Sequence, residues 1–206
     1  MAIAGSTAAA LGAFLVFEDE AGFSMTPPTA RTWARRGNTP VIPVCGRSQR
    51  RISIAALACY KPGERSRLIH RPMIHRDHKT SGRRSFAWSD YRDLLIAAHQ
   101  QLNSPIVLIW DNLNVHRDAR MRGFIDAHDW ITAYHLPPYA PQLNPAEGIW
   151  SLLRRHSQAN TAFADPVQLM RSLRHGLRQV QYRCDLIDGC LAATGLTPTT
   201  TQLQGQ

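Results

Sequence analysis

Apolar residues along this chain gather in blocks, and the spacing within each block predicts what it builds. Residues 13–19 form an apolar run ending on acids, the pattern of a buried strand. A stretch rich in Pro, Gly, Thr and Arg occupies residues 21–49, with Trp33 and the fragment 41–44 as strand-like islands. Arg51 to Tyr60 (RISIAALACY) predicts a strong strand, Lys61-Pro62-Gly63-Glu64 a turn, and Ser66 to Arg71 a hairpin partner leading into a basic loop. After Ser89, a good N-cap, Tyr91, Leu94, Leu95, Ala98 and Leu102 share one helical face. Pro105 interrupts the chain before Ile106–Trp110, an unbroken apolar strand of the kind buried on both sides in a parallel sheet. A helix over Asp118–Ala127 burying Met121, Phe124 and Ile125 comes next, then a strand over Trp130–Leu136 and a rigid loop, Pro137-Pro138-Tyr139-Ala140-Pro141.

Asn144 and Pro145 read as the cap and first residue of a helix with Ile149, Leu152 and Leu153 on its apolar face. Asp165-Pro166 opens the last predicted helix in the same way. It carries Leu169, Met170, Leu173, Leu177 and Val180 inward and Arg171, Arg174 and Arg178 outward. No internal repeat is present. From Thr194 the Thr, Gln, Pro and Gly content predicts a disordered tail, leaving residues 1–193 as one domain. Hairpin strands followed by alternating helices and strands give an α/β mixed sheet flanked by helices, a succession that resembles the ribonuclease H-like fold. Sites in such open sheets lie beyond the carboxyl ends of neighbouring strands, where this reading puts Asp19 and Asp111.

Composition narrows the partners. The net charge is +9 and the sequence pI about 10.1. Residues 47–84 hold eleven Lys or Arg, among them Arg65, Arg67, Arg71, Arg76, Lys79, Arg83 and Arg84, against Glu64 and Asp77; their excess equals the whole net charge. A localised basic segment suits a phosphate-tracking surface, and is equally compatible with a solvated loop. His70, His75 and His78 lie in the same segment and fit DNA contact or solvation better than a metal site. The four cysteines, Cys45, Cys59, Cys184 and Cys190, show neither a Cys-x-x-Cys pair nor zinc-finger spacing, which suggests a reduced, cytoplasmic protein. The start, MAIAGSTAAALGAFLVF, resembles a signal peptide but lacks a basic n-region, and a buried first strand is the better expectation. No apolar run approaches transmembrane length, and no Gly-rich phosphate loop, Gly-x-Ser-x-Gly elbow or His-Glu-x-x-His stretch occurs.

The chemistry rests on Asp19, Asp111 and Glu147. Each has a structural alternative: Asp19 and Asp111 as turn formers, Glu147 as a capping-box glutamate three residues after Asn144. What the alternatives explain poorly is that all three stand at element ends that one topology brings together. Three hard oxygen ligands suit two Mg²⁺ or Mn²⁺ ions, and such a pair drives phosphodiester cleavage.

The stretches FEDEAGFSMTPPTARTWARRGNTPV, IVLIWDNLNVH and HLPPYAPQLNPAEGIWSLLRR resemble bacterial insertion-sequence transposases of the mariner superfamily, the DDE superfamily endonuclease group. The resemblance covers nearly the whole chain and is most specific in the third stretch. It implies that Asp19, Asp111 and Glu147 are the catalytic, metal-binding triad, that Asn112 and His116 support it or face DNA, and that Trp33 either stacks near DNA or packs in a hairpin. It also implies cleavage of transposon ends and strand transfer into target DNA, in the bacterial cytoplasm at the nucleoid. A catalytically silent DNA-binding remnant and a ribonuclease H-like nuclease without strand transfer are the rival expectations. Family members usually carry N-terminal helix-turn-helix modules, whereas this chain starts close to its first acidic strand. That leads to the expectation of a split gene, a displaced start or a remnant, with a helix-turn-helix polypeptide and a homodimer as further partners.

Overall fold

The sheet is built around one long strand, β1 (Phe14–Ser24), in the computed structural model, which describes residues 2–26, 28, 31, 33–38, 40–41, 51–75 and 85–196. β2 (Arg51–Tyr60), β3 (Arg67–Ile74), β4 (Ile106–Trp110) and β5 (Ile131–His135) complete a five-stranded sheet in the order β3-β2-β1-β4-β5. The β1–β2 and β2–β3 pairs are antiparallel; β1–β4 and β4–β5 are parallel. The strand-like fragment at 42–44, Cys45, His78, the basic residues Arg76, Lys79, Arg83 and Arg84, and the tail from residue 197 lie outside the described residues.

Ending the first strand at Asp19 needs correction, because β1 continues to Ser24. β2 pairs along it from Leu15 opposite Tyr60 to Ser24 opposite Arg51, and every backbone group in a buried sheet needs such a partner. Ala21 and Phe23 are buried while Gly22 and Ser24 are exposed, an alternation that the Pro- and Thr-rich residues after it disguise. Asp19 therefore stands inside a strand, at the level where the parallel neighbour β4 stops.

Alternation also divides the core into two layers. Leu15, Phe17, Ala21 and Phe23 of β1 point to one face with Ile54 and Ala56 of β2 and Val107 and Ile109 of β4. That face is covered by α1 (Ala2–Leu11), α4 (Pro145–Leu153), α5 (Pro166–Tyr182) and α6 (Cys184–Ala193). Phe14 and Val16, with Leu108 and Trp110, point to the other, beneath α2 (Trp88–Leu102) and α3 (Ala119–Asp126). All five residues of β4 are buried, so each large side chain contributes about 1.5–3 kcal/mol of transfer free energy.

The caps expected at Asn144 and Asp165 are present, and Asp118 caps α3 (Ala119–Asp126) in the same way, each side chain accepting a backbone N–H of its own first turn. α2 starts two residues earlier than its sequence suggests, at Trp88. Ala87 precedes it, and Asp90 Oδ2 accepts the Ala87 N–H at 2.8 Å in place of a Ser89 cap. Two helices were not anticipated. α1 is an Ala-rich segment with no polar stripe to betray its period; its strong intrinsic propensity suffices, and Gly12, at φ +57°, ends it with Ala13 N–H donating to Ala8 O. α6 follows α5 after a break at Arg183. Thr194, read as the start of the tail, closes α6 through its N–H to Leu191 O. The hairpin expected within the basic segment is present: residues 51–74 are β2 and β3, and β2 is buried from Ile52 onward.

Candidate active site

Register brings the first two acids together. Phe17 stands opposite Ile109 in the parallel β1–β4 pair. Two residues further along each strand are Asp19 and Asp111, and period-two alternation turns both to the face occupied by Phe17, Ile109 and α4. Glu147 lies in the first turn of α4. Asp19, Asp111 and Glu147 line one cleft of about 520 Å³, with Asn112, Arg117 and the wall Leu136–Pro141 around it. The three acids singled out in the sequence thus line one cleft, although β1 presents the first from mid-strand and not from its end.

Two bonds fasten α4 across β1. Asn144 Nδ2 donates to Glu18 O at 3.2 Å, and Trp150 Nε1 donates to Asp19 Oδ2 at 2.8 Å. Trp150 is itself buried and packs edge-on against Phe23. Burial pushes the Asp19 carboxyl up to about 7, with further upward pressure from the charges of Glu18 and Glu147; the Trp150 bond opposes this only in part. Asp111 goes the other way. Its partial burial is outweighed by His116, whose Nδ1 lies 2.9 Å from Oδ1, and by the Leu113 N–H, which donates to Oδ1 at 3.0 Å, and together they hold the carboxyl below its usual range.

Glu147 does not close a capping box. Asn144 Oδ1 accepts the Ala146 N–H, and the Asn144 N–H is already spent on Pro141 O at 2.9 Å. The Glu147 side chain is exposed and, among the described residues, has no hydrogen-bond partner. A purely capping role therefore loses its basis. Among the described residues no three His, Cys, Asp or Glu side chains are gathered into a ready-made metal cluster.

Behind the cleft lies a pair that the sequence reading passed over. Glu18 and His116 are each 1% exposed, on the α2 face of the sheet, with His116 Nε2 3.2 Å from Glu18 Oε2. The contact is an ion pair whose angles miss hydrogen-bond geometry, so both Glu18 oxygens lack a hydrogen-bond donor. The His116 ring stacks on Trp110 at 4.3 Å and meets Tyr91 edge-on at 5.0 Å. Burial lowers the His116 pKa, but the neighbouring carboxylates of Asp111 and Glu18 overcome it and raise it to about 9. Burial raises Glu18. The cationic imidazole therefore lies against an indole face, a favourable cation–π contact, and ties Asp111 to the strand beneath it. Alternation alone held a clue: if Asp19 faces α4, Glu18 must face the opposite core and needs a counter-charge there. Asn112 is placed beside the cleft, its Nδ2 donating to Leu136 O and its Oδ1 accepting from Arg117. His135 Nδ1 contacts Asp111 O at 3.1 Å.

The predicted DNA-contacting arginines divide. Arg65 donates to Tyr182 O at 2.9 Å and Arg67 to Gln101 O at 3.0 Å, on the carbonyl ends of α5 and α2, where the helix dipole favours a cation. Arg67 pairs in register with Cys59, three positions from Ala56, the residue opposite Asp19. Arg71 donates to Asp90 O and lies 3.8 Å from Asp93. Arg171, Arg174 and Arg178 are exposed on α5. His70 is half-buried, His75 is buried with Nε2 2.8 Å from Ser53 Oγ, and Trp33 is fully exposed rather than packed in a hairpin.

A sequence model of the DDE superfamily endonuclease family matches residues 14–170, a span that contains all five strands and all three acids. The chain belongs to that family. Similar solved structures include the Mos1 mariner paired end complex with Mn, at 14% identity and a TM-score of 0.58 over 95% of this chain and 60% of that one. A pre-cleavage Mos1 transpososome gives 13% identity and a TM-score of 0.57 over 95% of this chain and 60% of that one. The Mos1 paired end complex with Mg gives 15%, 0.54, 88% and 56% respectively. At such identities the likeness is one of fold, and the fold is ribonuclease H-like. The chain spans about three-fifths of the length of these structures. No curated protein sequence matches it.

Proposed function

We propose that the chain is the catalytic domain of a DNA transposase, which cleaves transposon ends and joins them to target DNA using two Mg²⁺ or Mn²⁺ ions held by Asp19, Asp111 and Glu147. The observation that carries the reading is that these three carboxylates, delivered by β1, by the end of β4 and by the start of α4, line one cleft. The donor set fits hard dications. It is all oxygen, Asp111 keeps Oδ2 out of the bonds that hold Oδ1, Glu147 is uncommitted, and Asp19 carries a charge penalty that a cation relieves. Two of the similar Mos1 structures, in turn, are paired end complexes with Mn and with Mg.

Bound there, the ions supply Lewis acidity, lowering the pKa of an attacking water or 3′-hydroxyl and steadying the leaving oxygen. The protein's part is orientation. Trp150 fixes one Asp19 oxygen, Leu113 N–H and His116 fix one Asp111 oxygen, and Asn144 sets the entry of α4 so that Glu147 faces the other two. Arg117, at the cleft edge and held by Asn112, offers a cation to the scissile phosphate or its neighbour. Within this proposal the partner is DNA, a homodimer and a helix-turn-helix polypeptide complete the assembly, and the compartment is the bacterial cytoplasm.

The test is metal-dependent cleavage of end-containing duplex by wild type, Asp111→Asn and Glu147→Gln. Gln retains cap chemistry, so a fold-preserving loss in Glu147→Gln isolates the ligand role. The loss should exceed the ~10–100-fold typical of removing only a ligand's hydrogen-bond partner. Full cleavage by Glu147→Gln would remove the glutamate from the site. Cleavage by wild type without 3′-end joining would make the chain a nuclease, and DNA binding without either a silent remnant.

A further inference from the structure

Away from the catalytic cleft, the outer face of α5 carries a second concavity, lined by three arginines and no acid. Arg171, Arg174, His175 and Arg178 line it with Val167 and Met170, enclosing about 420 Å³ with no acid in the lining and no residue shared with the carboxylate cleft. The helix beneath is firmly mounted. Leu169, Leu173, Leu177 and Val180 are buried under it, Asp165 caps its start, and Gln181 Nε2 donates to Leu68 O at its end. The three arginines are also unspent. Arg65, Arg67, Arg71, Arg120 and Arg183 each bond a backbone carbonyl or a carboxylate, whereas Arg171, Arg174 and Arg178 make no hydrogen bond or ion pair among the described residues. Unpaired guanidiniums on a rigid face cost no internal bond when an anion arrives, and their planar forks suit phosphate oxygens. Their spacing also fits. Residues 171 to 178 advance about 10 Å along the helix, close to the rise of three phosphates on one strand of duplex DNA.

We propose that this face of α5 is a second nucleic-acid site, which grips the phosphate backbone of duplex DNA away from the bond being cut. The inference rests on the proposed function only in taking DNA as the polyanion. It makes the binding footprint larger than the cleft and its affinity separable from catalysis.

The experiment is a salt titration of full-chain binding to a fluorescent random-sequence duplex, in EDTA so that no cleavage occurs. The Arg171→Gln/Arg174→Gln/Arg178→Gln variant should keep its circular dichroism and melting point, since all three side chains point outward. Its plot of log affinity against log salt should be shallower by about 2–3, near 0.9 for each lost phosphate contact. A control in which Arg120, Arg122 and Arg183 become Gln removes the same charge elsewhere and should keep the wild-type slope. Equal slopes for wild type and the α5 variant overturn the proposal and leave the catalytic reading intact. Equal flattening by both triple variants assigns the effect to net charge and also overturns it. A wild type that binds no duplex overturns both.

Discussion

Replacing His116 by Gln should destabilise the domain far more than a conservative-looking polar exchange suggests. The ring is 1% exposed, and its ion-pair partner Glu18 is equally buried, with no hydrogen-bond donor to either oxygen. Removing one member of a buried ion pair leaves the other charge uncompensated, at a cost of about 3–5 kcal/mol. The pH dependence gives an independent measure. A rise from 6.5 to about 9 corresponds to about 3 kcal/mol of preferential proton binding by the folded state. Since the folded protein holds this proton more tightly than the unfolded chain, that contribution is complete below pH 6.5 and is lost as pH climbs through 9. Glu18, raised by burial, acts in the same sense, because the folded state resists its ionisation. Urea unfolding of wild type, His116→Gln, Glu18→Gln and the double variant, at pH 6 and pH 9.5, measures each quantity. The single His116 variant should lose about 3–5 kcal/mol at pH 6, most of which returns when Glu18→Gln removes the stranded charge. It should also lose most of the wild type's decline between the two pH values. A His116→Gln cost below about 1 kcal/mol, or additive single and double variants, would show that the pair carries no charge and refute the reasoning.

Other consequences are checked more simply. Mg²⁺ or Mn²⁺ should raise the melting temperature, and the increment should grow as pH rises through about 7, because the cation competes with the Asp19 proton; EDTA should abolish it, and a pH-independent increment would place binding elsewhere. Gly148→Ala should destabilise by about 1–3 kcal/mol, since the new Cβ would lie 2.9 Å from Cys190 Sγ, and Cys190→Ala should restore much of that loss in chemical denaturation. Leu108→Ala, within the fully buried β4, should cost about 2–5 kcal/mol by the same measurement.

The elements legible in the sequence were those with a local signature. RISIAALACY is a strand wherever it packs, and Asp118, Asn144 and Asp165 cap helices through bonds made within their own first turns. α1 escaped notice because an alanine run supplies propensity without a polar face, so no period distinguishes helix from buried strand. The far half of β1 escaped because two apolar positions are too few to outweigh the proline-rich residues behind them. At the site, the three acids were visible as residues and their convergence as topology. Whether Glu147 capped its helix was not, because Asn144 N–H had a competing acceptor, Pro141 O, that only the folded turn supplies. The Glu18–His116 pair was hidden for a similar reason: ninety-eight positions apart, its members meet only through tertiary packing.

The three carboxylates differ in how much structure must move to shift them. Asp19 is held in mid-strand, opposite Ala56 in a ladder that runs the length of β1, so displacing its backbone means breaking the sheet. Asp111 and Glu147 sit just past one element and just inside another, steadied by a few side-chain bonds such as Asn112 to Leu136 O and Asn144 to Glu18 O. Openings that break only such bonds have free energies far below that of global unfolding. The cleft is therefore hinged on one side: a fixed wall on β1 faces a wall that can yield and re-form. Under the proposed function, entry and exit of a large, stiff duplex would draw on local fluctuations, and the stability of the sheet need not be lowered to permit turnover.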